Sequence, residues 1–438
     1  MSDKKIRRLP LAAAAMVACM SAHAGYTSPD GNFSLSGFGT LGASRTTTDE
    51  ALFNYPGQGG GAGKTFSLDP DSKVAVQGTY KATPTVSATA QVMTKYDAEG
   101  SYVPNFEWAF VKWQPVSGLS VRAGRMGAPF FMVSDFRDVG YANVAVRPNL
   151  DVYGQVPVSY FDGGDVSYQT SLGPASVTGT LWAGSSSASF TSALNSPLGA
   201  VPPSDIDIKR ALGFNLQAEF DGGYTLRLGH MQGRLTTKSA TADYVVGAMA
   251  PVIAGLAGAT AQAEALALSE QLHVSNERAT FSGVGFTVDR NNVVVSGEYT
   301  KRKVGGVGYV PDTTGWYTLA GYRFGNWLPY VSFSKLKVTN PNAKMPTVTS
   351  AVLASAVVGT QTVLNTQKLS ERTNSVGIRW DATSSLAVKA QFDRVVKPVD
   401  SNGLFLVENP SGALLSGGKF LGAKKNIDVL SLSVDFVF

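Results

Sequence analysis

The sequence predicts an all-β fold, a closed antiparallel barrel of sixteen transmembrane strands. Two observations predict it. The sequence contains sixteen segments in which apolar and polar residues alternate. The connections between these segments are short and long in strict alternation. An even strand number with short turns at one end and long loops at the other is typical of bacterial outer-membrane barrels. The strands of a soluble β-sandwich also alternate between apolar and polar residues. The prediction of a membrane barrel therefore depends on the strand count and the loop asymmetry.

Each predicted strand has an apolar and a polar face. In the second strand, for example, Val74 and Val76 alternate with Lys73 and Gln77. About ten such residues suffice to cross a bilayer at a tilt. Because lipid cannot bond to the backbone, the strands must close on one another. The predicted strands are 32–45, 72–83, 85–95, 106–114, 119–126, 160–172, 175–185, 209–220, 224–235, 277–289, 292–303, 315–324, 327–338, 370–380, 386–397 and 425–438.

The connections divide into two classes. Seven short turns, expected on the periplasmic side, are mostly marked by Gly, Pro, Asn or Asp, the residues that favour tight turns. They lie at Pro84, Pro115–Gly118, Gly173–Pro174, Asp221–Gly223, Arg290–Asn291, Gly325–Asn326 and around Thr383. Eight longer loops are expected outside the cell. The fifth contains an Ala-rich segment, about 243–272, for which we predict a helix because Ala is the best helix former; a disordered loop is the alternative.

The first 24 residues have the pattern of a secretory signal peptide. Four basic residues lie between positions 4 and 8, an apolar run covers Leu9–Met20, and Ala22-His23-Ala24 precedes Gly25. We expect cleavage at about Ala24/Gly25, so that residues 25–438 form the barrel domain. The only cysteine, Cys19, lies within the predicted signal peptide, which predicts a barrel without disulfides.

The charge balance argues against a nucleic-acid partner. The chain has a formal net charge of +5, and the predicted signal peptide holds four of its 37 basic residues and one of its 32 acidic residues. Its removal leaves a nearly neutral chain with no basic run, so we expect no nucleic-acid binding.

The last strand ends in a specific pattern. Phe438 is the final residue and shares an apolar face with Phe436 and Val434, whereas Ser433 and Asp435 lie on the other face.

The third long loop, residues 127–159, differs from the others. It contains three prolines and charges of both signs, and it follows the strand pattern SVRAGRM. A loop of this length without a strong element of its own is usually functional. We expect it to fold into the barrel and narrow it.

Taken together, these features resemble the trimeric general porins of Gram-negative bacteria. The resemblance covers residues 25–438 and rests on the signal peptide, the sixteen strands, SVRAGRM before the third loop and the terminal SLSVDFVF. It implies a homotrimer in the outer membrane, surrounded by lipid and lipopolysaccharide. Its water-filled channel would pass small hydrophilic solutes and ions without a cofactor. It also implies that the barrel-assembly machinery reads the terminal residues Val434, Phe436 and Phe438.

The resemblance also implies a constriction made by the third loop, assigned here by position in the topology. Acidic residues would lie on one side and a basic wall on the other, and such charges set ion preference. The predicted constriction residues are Asp135, Arg137, Asp138, Arg147 and Asp151, with Arg122 and Arg125 from the preceding strand. The predicted basic wall consists of Lys73, Lys81, Lys95, Arg379 and Lys389.

Other functions stay open or are excluded. A substrate-selective porin, for phosphate or dicarboxylates, and a barrel-anchored surface-binding protein are the alternatives. A TonB-dependent transporter is not expected, since no plug domain precedes the first strand. Enzymatic activity is not expected either. His230 and His273 are the only histidines outside the signal peptide, neither lies in a serine motif, and no metal-ligand spacing occurs.

Overall fold

The computed structural model describes residues 25–191, 195–196, 199–200, 203–238, 257–407, 420 and 422–438. Within these residues, sixteen antiparallel strands form a closed barrel, which confirms the predicted fold class. The strands are β1 (Phe33–Thr46), β2 (Lys73–Lys81), β3 (Val86–Lys95), β4 (Asn105–Trp113), β5 (Leu119–Gly127), β6 (Tyr160–Leu172), β7 (Ala175–Phe190), β8 (Ser204–Phe220), β9 (Tyr224–Lys238), β10 (His273–Arg290), β11 (Val293–Val304), β12 (Asp312–Tyr322), β13 (Trp327–Asn340), β14 (Glu371–Thr383), β15 (Leu386–Lys397) and β16 (Lys425–Val437).

The barrel closes where its first and last strands meet. β1 pairs with β16 from Phe38 opposite Val437 to Thr46 opposite Val429. Beyond this ladder, the Gly37 amide donates to the Phe438 carbonyl at 2.8 Å, and the Phe438 amide donates to the Gly37 carbonyl at 3.0 Å. No strand of the ring is left with an unpaired edge, as a lipid environment requires.

Several strands are longer than predicted at the long-loop end. β8 begins at Ser204 instead of 209, and β10 begins at His273 instead of 277. In β8 a bulge between Lys209 and Leu212 places Arg210 at a positive φ of 50°. The bulge shifts the alternation by one residue, so the period-two pattern stops there although the hydrogen-bonded ladder continues.

The outer face carries the apolar band that the alternation predicts. All ten residues predicted for this band lie on the outward face, five of them exposed and five partly exposed in the isolated protomer. They are Val74, Val76, Leu226, Leu228, Val293, Val295, Leu386, Val388, Leu432 and Val434. At the short-turn end, the rings of Trp327 and Trp380 stack at 5.5 Å, as expected for an interfacial aromatic girdle.

The inner face of the barrel is less polar than the alternation of residues along the strands suggests. Trp182, Met231 and Phe281 point inward from β7, β9 and β10, and all three are buried. They belong to an apolar cluster that includes Phe130 and Phe131 of the third loop. These inward apolar residues are covered because the loop packs on them.

In the described part of the chain, three α-helices are not part of the wall: α1 (Leu150–Tyr153), α2 (Gly258–Glu270) and α3 (Ala354–Thr366). The predicted helical segment, about 243–272, contains α2, whereas its residues up to 256 lie outside the described residues. α3 was not predicted. Leu268 of α2 packs with Leu353 and Ala356 near α3. Among the described residues, no helix is long and apolar enough to cross a membrane.

A carboxylate adds hydrogen bonds between the two helical loops. Glu264 of α2 accepts hydrogen bonds from the Thr349 amide at 2.9 Å and the Ser350 amide at 3.0 Å. Hydrogen bonds from Ser350 and Thr349 lower the pKa of Glu264 to about 2. The fifth and seventh loops therefore form one unit at this end of the barrel.

Replacing Leu432 with Arg should destabilise the barrel by roughly 2–4 kcal/mol if the residue lies near the bilayer midplane. The reason is that Leu432 is an exposed residue of the apolar band. Equilibrium unfolding in lipid vesicles measures this change. Leu432→Ala is the control and should cost much less, and equal stability of the Arg variant would contradict the assigned register.

Candidate functional site: the constriction at the third loop

The third loop leaves β5 at Gly127 and rejoins the wall at Tyr160, and it crosses the lumen between these points. Two short 3-10 turns, Ser134–Phe136 and Gly140–Ala142, and helix α1 shape its path. The Asn149 side chain caps α1 by accepting from the Asp151 amide at 3.1 Å. Four sets of contacts hold the loop inside the barrel.

The first set of contacts is mainly apolar and lies against β10 and β11. The Phe131 ring lies 4.5 Å from that of Tyr153 and 5.1 Å from that of Phe281. The Tyr153 hydroxyl donates to Glu298 at 2.9 Å, and the Met132 amide donates to the same carboxylate at 3.0 Å. Burial is the main cause that raises the pKa of Tyr153 well above its ordinary value.

The second set holds the tip of the loop by its carbonyl oxygens. Lys389 Nζ donates to the Gly140 carbonyl at 2.7 Å and pairs with Asp435 at 3.0 Å. Arg379 donates to the carbonyls of Tyr141 at 2.7 Å and Asn143 at 2.8 Å. Lys389 and Arg379 were predicted to line an open basic wall. The structure instead uses both as anchors, and Lys389 is completely buried.

Only glycine fits at the tip. A Cβ atom on Gly140 would overlap the Asp435 carboxylate and the Thr40 hydroxyl, which are themselves hydrogen-bonded. The tip can therefore approach the wall at β1 and β16 only because position 140 has no side chain.

The third set is centred on Arg147, which is buried. Its guanidinium donates two hydrogen bonds of 2.7 Å to Asp71 and one of 2.7 Å to the Ser431 hydroxyl. Asp393 lies 3.5 Å away on the other side. Burial acts to raise the pKa of Asp71, but the charge and hydrogen bonds of Arg147, together with Ser44 and Lys73, lower that pKa below its ordinary value. Arg147 thus ties the loop to the first loop and to β15 and β16.

The fourth set joins the loop to β2 and β3 through Asp138. Its carboxylate lies 3.1 Å from Lys73, 3.6 Å from Lys95 and 3.4 Å from Arg137. Burial opposes ionisation, yet Lys95 and Lys73 lower the pKa of Asp138 far below its ordinary value. Lys95 also pairs with Glu107 at 3.1 Å. The charges that were expected to face each other across an opening are therefore in direct contact.

Two predicted constriction residues are placed elsewhere. Asp151 is buried, accepts from the Ser334 hydroxyl at 2.6 Å, and burial raises its pKa to about 6. It is a contact between α1 and the wall, not part of an opening. Arg125 shares a strand face with Ala123, opposite the buried Met126, and pairs with Asp162 at 2.8 Å. Alternation places Arg125 on the outward face of β5, but at the long-loop end of the strand it also lies in the lining of a cavity beside the loop, with Lys95 and Glu107.

Three other predicted residues keep a position on the inner face. Asp135 is exposed on the loop and makes no ion pair among the described residues. Arg122 lies 5.4 Å above the Phe110 ring and donates to Asp165 at 3.0 Å. Lys81 is exposed close to the short turn between β2 and β3.

Among the described residues, three cavities border the loop, and two of them have several charged side chains in their linings. We call the first the charged cavity. It measures about 390 Å³ and its lining includes Lys73, Lys95, Glu107, Arg137 and Asp138. The second, which we call the hydroxyl cavity, measures about 290 Å³. It lies between the tip of the loop and the inner faces of β11 to β15, and its lining includes Asn143, Tyr317, Tyr330, Ser332, Ser375 and Gln391.

Several anchoring residues were missed in the sequence. Glu298, Asp393 and Asp435 lie on strand faces that point inward, where a carboxylate needs a partner from the opposite side of the lumen. Gln155 is similar, because it bonds to Thr300 at 2.7 Å and Thr313 at 2.9 Å. Acidic residues at inward positions were the available signal, but alternation does not reveal which part of the loop each one meets.

The described residues contain no arrangement that is ready for catalysis. His230 Nδ1 lies 2.8 Å from the Ser282 hydroxyl, but no carboxylate bonds to this histidine in the described part of the chain. His230 alternates with the buried Met231, so the pair lies on the outer face. No group of three or more His, Cys, Asp or Glu side chains that could hold a metal ion occurs among these residues.

No protein-family model and no curated protein matches the chain. Solved structures do match its fold. OmpF of Salmonella typhi, in complex with daunomycin, is 13% identical with a TM-score of 0.53, over 95% of this chain and 100% of that one. The outer-membrane channel DcaP of Acinetobacter baumannii is 8% identical with a TM-score of 0.51, over 95% and 100%. An anion-selective porin from Comamonas acidovorans is 12% identical with a TM-score of 0.50, over 93% and 99%.

These identities are low, so the matches show a shared fold. The chain has the sixteen-stranded barrel of the Gram-negative porins, which confirms the architecture implied by the resemblance in its sequence.

Replacing Arg147 with Met should destabilise the folded loop by about 3–5 kcal/mol, because it leaves the buried carboxylates Asp71 and Asp393 without their cation. Equilibrium unfolding in lipid vesicles measures the change, and limited proteolysis of the third loop should become faster. Lys64→Met is the control. Lys64 and Asp49 are 60% and 62% exposed, so breaking this pair should cost about 0–1 kcal/mol. Equal effects of the two variants would contradict the anchoring role.

Proposed function

We propose that the protein is an outer-membrane porin, a water-filled channel for the passive diffusion of small hydrophilic solutes and ions. The observation that carries the proposal is the third loop inside the closed barrel, held by buried contacts on several sides of the lumen. A barrel of sixteen strands without such a loop would be wide and would discriminate little. The loop supplies the narrowing on which selection depends.

The ion pairs explain how charges can line a channel without blocking it. Asp138, Lys73 and Lys95 hold one another in fixed positions beside the charged cavity. Because each of these charges has a partner of opposite sign within 4 Å, mainly the partly exposed members, such as Lys95, act on a solute in the adjacent water. Salt screens such fields, so any ion preference should weaken as ionic strength rises.

The names of the structural neighbours support a channel. One is described as an outer-membrane channel and another as an anion-selective porin. A substrate-selective porin is the second candidate. It is favoured by the apolar cluster of Phe130, Phe131 and Phe281, which fills lumen space that a general diffusion pore would leave to water. A barrel-anchored surface-binding protein has only the helical unit of the fifth and seventh loops in its support.

The proposal extends to location and assembly. Residues 1–24 would be removed as a signal peptide, and the barrel would assemble in the outer membrane as a homotrimer, in contact with lipid and lipopolysaccharide. No enzymatic activity and no cofactor is proposed. The Ser282 and His230 pair lies on the outer face and lacks the acid that orients a catalytic histidine.

Conductance in a planar bilayer tests the channel. Trimers should give discrete conductance steps, and the reversal potential under a salt gradient gives the ion preference. Replacing Asp135 and Asp138 together with Asn should shift that preference toward anions, because Lys73 and Lys95 then lose their counter-charge. Asp428→Asn is the control, since Asp428 pairs with Arg394 on the outer face. Well-folded trimers without any conductance would refute the porin proposal.

The side chain of Phe438 should matter for assembly in cells. Phe438→Ala keeps the two backbone hydrogen bonds to Gly37 but removes the terminal aromatic ring. We expect lower outer-membrane levels in cells, measured by quantitative blotting, and an unchanged yield when the purified chain is refolded into lipid. Phe324→Ala, at an exposed aromatic of the short-turn end, is the control. Normal cellular levels of Phe438→Ala would argue against an assembly signal.

A further inference from the structure

The third loop separates two cavities whose linings differ in chemistry. The lining of the charged cavity includes lysine, arginine and carboxylate side chains. The lining of the hydroxyl cavity combines hydroxyl, amide and aromatic groups with aliphatic side chains and a few charged residues. The two spaces lie on opposite sides of the same loop, so a solute in one does not share the lining of the other.

The ionisable groups of the hydroxyl cavity are already engaged. Arg147 is paired with Asp71 at 2.7 Å and with Asp393 at 3.5 Å, and Asp393 also accepts from Gln391. Asp289, near the end of β10, accepts from Arg323 at 2.7 Å. Glu371 is buried and accepts from the Leu404 amide at 2.9 Å. An ion that entered this cavity would therefore find no free counter-charge in its lining.

The rest of the lining suits a solute with many hydroxyl groups. Ser332 and Ser375 of β13 and β14 supply hydroxyls, and Asn143 and Gln391 supply amides. The Tyr330 hydroxyl donates to Gln391 at 2.8 Å, which fixes the orientation of both side chains. Fixed polar groups of this kind replace the hydrogen bonds that an uncharged solute gives up on leaving water, while the tyrosine rings contact its apolar faces.

The hydroxyl cavity reaches toward both ends of the barrel. Thr287 and Asp289 lie in the last four residues of β10, at the short-turn end. Glu371 and Thr373 lie at the beginning of β14, and Phe405 belongs to the last loop, at the opposite end. The lining therefore runs along most of the height of the wall.

We propose that the hydroxyl cavity is a second passage through the barrel, selective for uncharged polyhydroxylated solutes of sugar size, while the charged cavity carries ions. The proposal rests on the porin function proposed above. Its physical basis is the cost of desolvation. An ion loses water in a narrow space without a free counter-charge, whereas a sugar exchanges one set of hydrogen bonds for another.

Swelling of proteoliposomes in glucose, compared with conductance in potassium chloride, tests the proposal. Ser332→Trp places a bulky ring in the hydroxyl cavity and should slow glucose-driven swelling several-fold, with little change in conductance. Val331→Trp is the matched control, because Val331 adjoins Ser332 on β13 but is exposed on the outer face. It should leave both measurements unchanged.

Two further variants test whether an effect comes from misfolding and whether glucose and ions share one path. Ser296→Trp fills the same cavity from β11 and should act like Ser332→Trp. Glu107→Lys changes the charged cavity and should shift the reversal potential without slowing glucose. Heat-modifiable electrophoretic mobility shows which variants are folded barrels.

The outcomes separate this proposal from the porin proposal. Folded Ser332→Trp and Ser296→Trp barrels that admit glucose at the unmodified rate would overturn the second passage. So would an equal reduction of glucose entry and of conductance, since this indicates one shared path. An unmodified barrel that conducts ions but excludes glucose would overturn the second passage alone. Absence of any conductance would overturn the porin function itself.

Discussion

A backbone that faces lipid must find all of its hydrogen-bond partners within the sheet, and the rest of this structure depends on that constraint. The ring of strands closes through the β1–β16 ladder and is extended by the two hydrogen bonds between Gly37 and Phe438. Closure leaves no unpaired edge, and along each strand the side chains point alternately to the lipid and to the lumen. It also creates an interior that a sixteen-stranded barrel cannot fill with its own side chains.

The third loop fills part of that interior. The contacts that hold it reflect the free-energy cost of removing charges from water, which also keeps charged side chains out of lipid. Inward carboxylates such as Asp435 and Asp393 are shielded from water once the loop covers them, so each needs a cation or a donor. Lys389 and Arg147 provide these partners and at the same time bind the loop. The contacts that position the loop are therefore the same contacts that compensate the buried charges. For this reason most charged residues near the loop are structural.

The sequence was sufficient to predict the barrel but not the contacts in its interior. Alternation depends on the local backbone, so it identified sixteen strands and the outward residues such as Leu226 and Leu432. It failed where a bulge shifted the period, as in β8 next to Arg210. The loop was recognised from its length and charges, but its contacts join residues far apart in the chain. Arg147 and Asp393, for example, are nearly 250 positions apart, and no local pattern links them. Lys389 was identified as inward-facing, yet its burial under Gly140 could only follow from the folded loop.

Anchoring by buried pairs also has a consequence for selectivity. A charge that is fully engaged inside the protein contributes little to the field in the water beside it, since its partner of opposite sign lies within a few ångströms. The charges that remain available to solutes are those with exposed surface, such as Asp135 and the partly exposed Lys95 and Arg122. The lumen thus combines a small number of accessible charges with a larger set of hydroxyl, amide and aromatic groups on the other side of the loop. Selection between solutes therefore depends on which side of the loop a solute passes. The two sides offer different groups to replace the water that the solute loses.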